Sequence, residues 1–347
     1  MKLHNRVNRA ELKNKMRSST EKRLTLSFYK YYNIKNPSVF RDHLFILFSR
    51  WDILGRVYVA SEGINAQISI PERNWDNFRD NLGQEITFLE NIRLNVALED
   101  NGKSFFVLKV KIRPKIVADG LNDHTFDVTK RGKHLSAIEV NEKVNKEGAR
   151  FVDMRNHYEW EVGHFKDAIL PDVENFRTAL PVVEKMLEEQ KDQPIIMYCT
   201  GGIRCEKASA YYLHRGFREV YMVDGGIIEY ARQCKELGLE NKFIGKNFVF
   251  DERLGERITG EVIARCHQCG KPCDEHVNCV NDACHILFIQ CDECAEEYND
   301  CCSVKCKNFM KLPEEQRDEL RTQVTFNGTQ FGKGRYNRLK KDEELKL

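Results

Sequence analysis

The chain has 347 residues, 41% of them hydrophobic and 31% charged, and its 55 Lys and Arg almost balance 53 Asp and Glu to leave a net charge of +2. That length suffices for two or three domains with separate cores, and the charge rules out a polycation. Apolar stretches such as Leu44–Phe48 and Phe105–Leu108 are far too short to span a bilayer, so a membrane protein is not expected.

Residues 1–22 form a basic arm. The first 23 residues hold eight Lys and Arg against two Glu and lack the apolar stretch of a secretory signal, so a cytoplasmic location is expected. A second basic segment, 313–347, carries Lys333, Arg335, Arg338, Lys340 and Lys341 with Phe331 and Tyr336 among them. Such tails can meet phosphates and stack on bases, although solvated termini have the same composition.

Residues 23–117 predict a small sheet domain. Leu24–Tyr32 is strand-like, and Phe40, Leu44, Leu47, Phe48 and Trp51 give Val39–Leu54 a helical period. Strands at Arg56–Ala60 and Ala66–Ile70 flank Ser61-Glu62-Gly63-Ile64-Asn65, a hairpin connection with its glycine expected in the turn. A helix over Glu72–Leu82 and strands at Arg93–Leu98 and Phe105–Ile112 complete a βαββαβ order plus one strand. That order predicts a ferredoxin-like or acylphosphatase-like α+β sandwich.

Residues 113–129 cluster proline, glycine and polar side chains and predict a linker. From 130 to 240, helices at Leu135–Lys146, Pro181–Glu189 and Ile227–Lys235 alternate with strands at Arg150–Met154, Ile195–Tyr198 and Glu219–Val223. Alternation of this kind implies a parallel α/β sheet, whose ligands bind at the carboxyl ends of the strands.

Cys199 stands at such an end. The loop Cys199-Thr200-Gly201-Gly202-Ile203-Arg204 leads into a helix beginning at Cys205-Glu206-Lys207-Ala208. Paired glycines let successive N–H groups converge on the sulfur, while Arg204 and the helix start add positive potential, so the thiolate is favoured. The alternative is a buried strand-end cysteine before an ordinary turn. This cysteine followed five residues later by an arginine resembles the active-site loop of rhodanese-like domains. Asp153-Met154-Arg155 and Gly163-His164 add to the likeness, with mainly structural roles expected for Asp153, Arg155 and His164.

The segment 241–312 concentrates ten cysteines between Cys266 and Cys306. In a cytosolic chain they argue for metal rather than disulfides. Cys266-x2-Cys269 and Cys291-x2-Cys294 are the clear ligand pairs for a structural Zn²⁺ that staples a segment too poor in apolar residues to fold unaided. His267, His276 and His285 are possible substitutes, two ions are feasible with undetermined pairing, and four of the cysteines could instead hold an iron–sulfur cluster.

Four phrases together resemble the bacterial tRNA uridine(34) hydroxylase family: Ser61-Glu62-Gly63-Ile64-Asn65, the stretch from Cys199 to Ala208, Asp224-Gly225-Gly226-Ile227-Ile228-Glu229-Tyr230, and Gly245 to Arg253. The resemblance spans nearly the whole chain. It implies an acylphosphatase-like domain, a rhodanese domain and a cysteine-rich end, and O₂-dependent hydroxylation at C5 of the wobble uridine in the tRNA anticodon, giving 5-hydroxyuridine. It also implies that Cys199 is the essential cysteine, associated with a persulfide, that Arg204 is the loop arginine, and that Cys205 is a second loop thiol.

The chain has no Gly-x-Gly-x-x-Gly fingerprint, hence no flavin or nicotinamide signature, and nothing in it demands an obligate protein partner. Three other readings use the same residues. A sulfurtransferase would pass sulfur from a Cys199 persulfide to a thiol, cyanide or tRNA. A Cys-x5-Arg phosphatase is disfavoured because it needs a general acid and a larger loop. A non-catalytic module would only dock tRNA.

Overall fold

The computed structural model describes residues 7–121, 127, 129–321 and 323–326. The basic-tail residues Phe331, Lys333, Arg335, Tyr336, Arg338, Lys340 and Lys341 lie outside these. Part of the basic arm is a helix, α1 (Arg9–Ser18), capped by the Asn8 side chain, which accepts the Ala10 N–H. Lys13 ties α1 to Glu252 at 2.7 Å.

The sheet domain contains β1 (Arg23–Tyr31), α2 (Pro37–Arg50), β2 (Leu54–Ala60), β3 (Gly63–Pro71), α3 (Trp75–Glu85), β4 (Asn95–Val96) and β5 (Leu108–Ile112), with strand order β4-β1-β3-β2-β5. The expected helix to Leu54 stops at Arg50, where Asp52 takes a left-handed φ of 54° and the chain turns into β2. Strand alternation places Leu26, Phe28, Val57, Val59, Ile64, Ala66 and Ile68 on one face, packed against Leu44, Phe48, Phe78 and Leu82 of the helices. The opposite face, carrying Ser27, Tyr29, Arg56, Tyr58, Asn65 and Gln67, remains to cover something else.

Two expectations are corrected here. The hairpin turn is Ser61-Glu62 alone, and Gly63 is the first residue of β3 at φ 145°. A Cβ there would lie 2.0 Å from the Lys30 carbonyl oxygen, so this glycine permits close strand approach rather than the turn. The expected linker is also no free tether. Its Ile116 and Asp119 are buried, and the Ile116 N–H donates to Glu62 Oε1 at 2.7 Å.

The second unit contains β6 (Lys133–Leu135), α4 (Ala137–Glu147), β7 (Arg150–Asp153), α5 (His157–Trp160), β8 (Gly163–Phe165), α6 (Phe176–Met186), β9 (Ile195–Tyr198), α7 (Ile203–His214), β10 (Val220–Val223) and α8 (Gly226–Leu237). Its four-stranded sheet is parallel, as expected, in the order β6-β10-β9-β7. Leu135 ends a strand instead of starting a helix, because Ser136 and Glu139 form a capping box that fixes the start of α4. Apolar side chains bury both faces of the sheet, with Met197 and Cys199 on one and Ile196 and Tyr198 on the other.

β11 (Phe243–Asn247) pairs antiparallel with β8 and with β12 (Glu256–Arg257), which anchors the last segment beside the parallel sheet. That segment continues through a hairpin of β13 (His276–Asn278) and β14 (Leu287–Ile289), then α9 (Asp292–Tyr298), α10 (Val304–Met310) and α11 (Glu314–Leu320).

Candidate active site

Cys199 follows β9 directly and is 1% exposed. Gly202 adopts φ 97°, a conformation open to glycine, and so aims its N–H at Cys199 Sγ from 3.2 Å. Gly226, at φ 70°, lets the start of α8 approach the loop; its would-be Cβ lies 2.5 Å from the Cys199 carbonyl oxygen. The Ile227 N–H accordingly donates to that carbonyl at 3.0 Å.

These contacts govern the sulfur's charge. Burial pushes the Cys199 thiol up, but a hydrogen bond from Cys205, the Arg204 charge and the N–H groups of Arg204 and Gly202 outweigh it and lower its pKa to about 6. Burial and the same thiol contact push Cys205 well above the ordinary thiol range. The loop therefore holds a thiolate at Cys199 beside a protonated thiol at Cys205, and both are free cysteines.

Arg204 does not face the sulfur as a free anion hook. Its Nη1 and Nη2 donate to Glu159 Oε2 and Oε1 at 2.7 and 2.8 Å. Burial raises the Glu159 pKa, but the Arg204 charge and hydrogen bonds bring it below the ordinary carboxylate value. Asp153 and Arg155 pair as expected, with Nε 2.9 Å from Oδ1 and Nη2 2.7 Å from Oδ2, and Arg155 reaches on to the Gly163 carbonyl at 2.6 Å. His164 Nδ1 lies 3.0 Å from the Phe165 carbonyl oxygen, away from the cavity described next.

A cavity of about 420 Å³ separates the loop from the polar face of the N-terminal sheet. Cys199, Thr200, Gly201, Ile203 and Arg204 line its floor, and Gly202 touches its Tyr29 wall. Ser27, Tyr29, Arg56, Tyr58, Asn65 and Gln67 supply the sheet wall, with Asn95 beside them. Phe250 and Arg253 close one side from the C-terminal segment. Volume and lining, apolar with a few converging amides, are those of a small-molecule site.

Two charged clusters hold the sheet over the loop, and sequence reasoning missed both. Glu206 accepts from the Tyr29 hydroxyl at 2.9 Å and meets His134 Nε2 at 3.0 Å and Arg131 at 2.8 Å. Lys207, 1% exposed, pairs with Glu62 at 2.6 Å and Asp119 at 2.7 Å. The signal was a run of charges at 204, 206 and 207 on a helix otherwise built to be buried.

The predicted ligand set comes together. The sulfurs of Cys266, Cys269, Cys291 and Cys294 all lie within 4.8 Å of one another, with 3.6 Å between those of Cys269 and Cys291. None of the possible substitutes belongs to this set: His267 instead lies 2.8 Å from Glu161, while His276 packs on the Phe248 ring.

Residues 23–116 match the UPF0176 acylphosphatase-like domain, 136–233 the rhodanese-like domain and 244–307 the rhodanese C-terminal family. A tRNA uridine(34) hydroxylase of Photorhabdus laumondii is 54% identical over 334 residues, covering 96% of this chain and 95% of its own. The protein of that name from Yersinia pestis strain Pestoides F is 56% identical over 319 residues, 92% of this chain and 90% of its own. The chain belongs to the tRNA uridine(34) hydroxylase family. In this member of the tRNA uridine(34) hydroxylase family, the cavity lies where all three matched segments meet. Among the described residues no helix is long and apolar enough to cross a membrane.

Proposed function

We propose that this chain hydroxylates C5 of uridine 34 in the anticodon of tRNA, using O₂, with Cys199 as the reactive group. The observation that carries the reading is a thiolate, with pKa lowered to about 6, at the floor of a cavity roofed by amide and tyrosine side chains. An anticodon base leaves its stack to reach such a floor, and aromatic and amide groups suit a splayed pyrimidine. Asn65, Gln67 and Asn95 offer donors and acceptors for its edge, Tyr29 and Tyr58 offer faces, and the exposed Arg56 at the same wall suits a flanking phosphate. The basic arm adds charge for the anticodon stem, and the cytoplasm is the setting that matches this substrate.

Replacing C5–H by C5–OH removes two electrons from the base, whereas reducing O₂ to one inserted oxygen and one water consumes four. Cys199 and Cys205 hold the missing pair: their conversion to a disulfide releases two electrons and two protons, balancing uridine, O₂ and dithiol against 5-hydroxyuridine, water and disulfide. An external thiol then restores the pair. Thr200, Gly201, Gly202 and Ile203 shape the loop, and Arg204, fixed by Glu159, keeps Cys199 ionised.

Cys266, Cys269, Cys291 and Cys294 suit one Zn²⁺, whose contribution is folding energy rather than redox chemistry. By tying down the C-terminal segment they steady Phe250 and Arg253 at the cavity. Mass spectrometry of tRNA nucleosides from a deletion strain tests the activity. Loss of 5-hydroxyuridine derivatives supports the hydroxylase, and loss of 2-thiouridine in its place returns the assignment to sulfur transfer.

A further inference from the structure

A second group of thiols lies away from the cavity. The sulfurs of Cys279, Cys284, Cys302 and Cys306 all fall within 4.8 Å of one another. Cys284 and Cys302 are 3.6 Å apart, Cys302 and Cys306 3.7 Å, and all four residues are at most 1% exposed. One tetrahedral ion with metal–sulfur bonds of about 2.3 Å sets its four sulfurs about 3.8 Å apart. An iron–sulfur cluster spreads its thiolates over several irons and needs a wider cage.

The surroundings also suit anionic sulfur. The Asn281 side-chain amide donates to Cys306 Sγ at 3.3 Å, and the Cys302 N–H donates to Cys279 Sγ at 3.4 Å. Such outer hydrogen bonds orient and stabilise metal-bound thiolates. Apolar Ile286 and Phe288, with Met310 and Phe326 packed against the cluster, exclude water.

We propose that these four cysteines bind a second Zn²⁺, and that the two zinc sites are interleaved along the chain. In sequence order the pairs are 266/269, 279/284, 291/294 and 302/306. The first and third pairs form one site, the second and fourth the other. Two zinc ribbons in series would instead join first to second and third to fourth. The β13–β14 hairpin explains the crossing. Cys279 and Cys284 lie in the loop joining its strands, while Cys266 and Cys291 flank it, so the hairpin carries one site at its tip and the other at its base. The loop closed by the first ion, 266 to 294, thus contains half of the second site. Each ion preorganises ligands for its neighbour, so loading is mutually favourable, and by linkage the coupling is reciprocal.

This inference takes Zn²⁺ in the first site from the reading above but is independent of the catalytic proposal. Its test uses full-length protein from zinc-supplemented cells, with elemental analysis and native mass spectrometry. Two zinc ions per chain are expected; one or fewer overturns the second site, and iron in it overturns the choice of metal. Equilibrium competition with a chromogenic chelator of known zinc affinity then compares wild type with Cys269→Ser and with Cys284→Ser. Each substitution is expected to weaken zinc binding at the untouched site by roughly tenfold or more. Wild-type zinc affinity at the untouched site would overturn the interleaved coupling. The wild-type zinc count decides the second site even if either variant fails to fold.

Discussion

Arg204 Nη1 lies 2.7 Å from Glu159 Oε2 and Nη2 lies 2.8 Å from Oε1, a two-pronged pair joining the start of α7 to the short helix α5. Glu159 also accepts the Asn156 N–H at 3.0 Å, which completes its own helix cap. The arginine is thereby held beside Cys199 in one orientation, stabilising the thiolate without having to leave its carboxylate.

Removing that carboxylate leaves a buried cation unpaired. Glu159→Ala is expected to cost about 3–5 kcal/mol of stability. Glu159→Gln, which keeps the shape and two polar atoms, is expected to cost less. Denaturant titration of both variants checks the order, and equal stability of Glu159→Ala and wild type would contradict the pairing.

The Cys199 pKa predicts the acid limb of the reaction. Its depressed value makes the thiolate dominant above about pH 6 and the thiol dominant below. Alkylation of Cys199 and kcat/KM should both be flat above that pH and fall tenfold per unit beneath it. The same depression contributes stability at high pH that is lost as pH falls toward 6. A limb near the ordinary thiol value would contradict the cradle.

Cys205→Ser separates proton donation from electron supply. Serine keeps a hydroxyl that can donate to Cys199, so alkylation of Cys199 is expected to change by less than about tenfold. Multiple turnover should nevertheless fall to background, because the second redox equivalent is gone. Wild-type turnover in this variant would remove Cys205 from the chemistry.

Gly202→Ala tests how closely the sheet covers the loop. The new Cβ would sit 2.9 Å from the Tyr29 hydroxyl oxygen, at a φ of 97°. A backbone cost of about 1–2 kcal/mol is expected, with faster alkylation of Cys199 as the sheet is displaced. Unchanged stability and alkylation would mean that Tyr29 does not close this wall.

Much of this was legible in the sequence because it is local. The β9–Cys199–α7 succession and the Asp153–Arg155 staple are written in consecutive residues, and alternating strands and helices predicted the parallel sheet. What escaped depends on distant parts meeting. Glu159 is 45 positions from Arg204, and Lys207 finds Glu62 at a separation of 145. The glycine at 63 looked like a turn residue, although its need is steric and comes from Lys30 across the sheet. The second thiol set has Cys-x4-Cys and Cys-x3-Cys spacings, and among ten cysteines only three-dimensional placement reveals the partners.

Hydroxylation of a tRNA base is proposed to depend on Cys199. The most direct test is nucleoside mass spectrometry of tRNA from a strain lacking the gene, complemented with wild type or with Cys199→Ala. The expected result is 5-hydroxyuridine derivatives restored by wild type and absent with Cys199→Ala. Restoration by both, or no loss on deletion in a strain without a second route to the same modification, would contradict it.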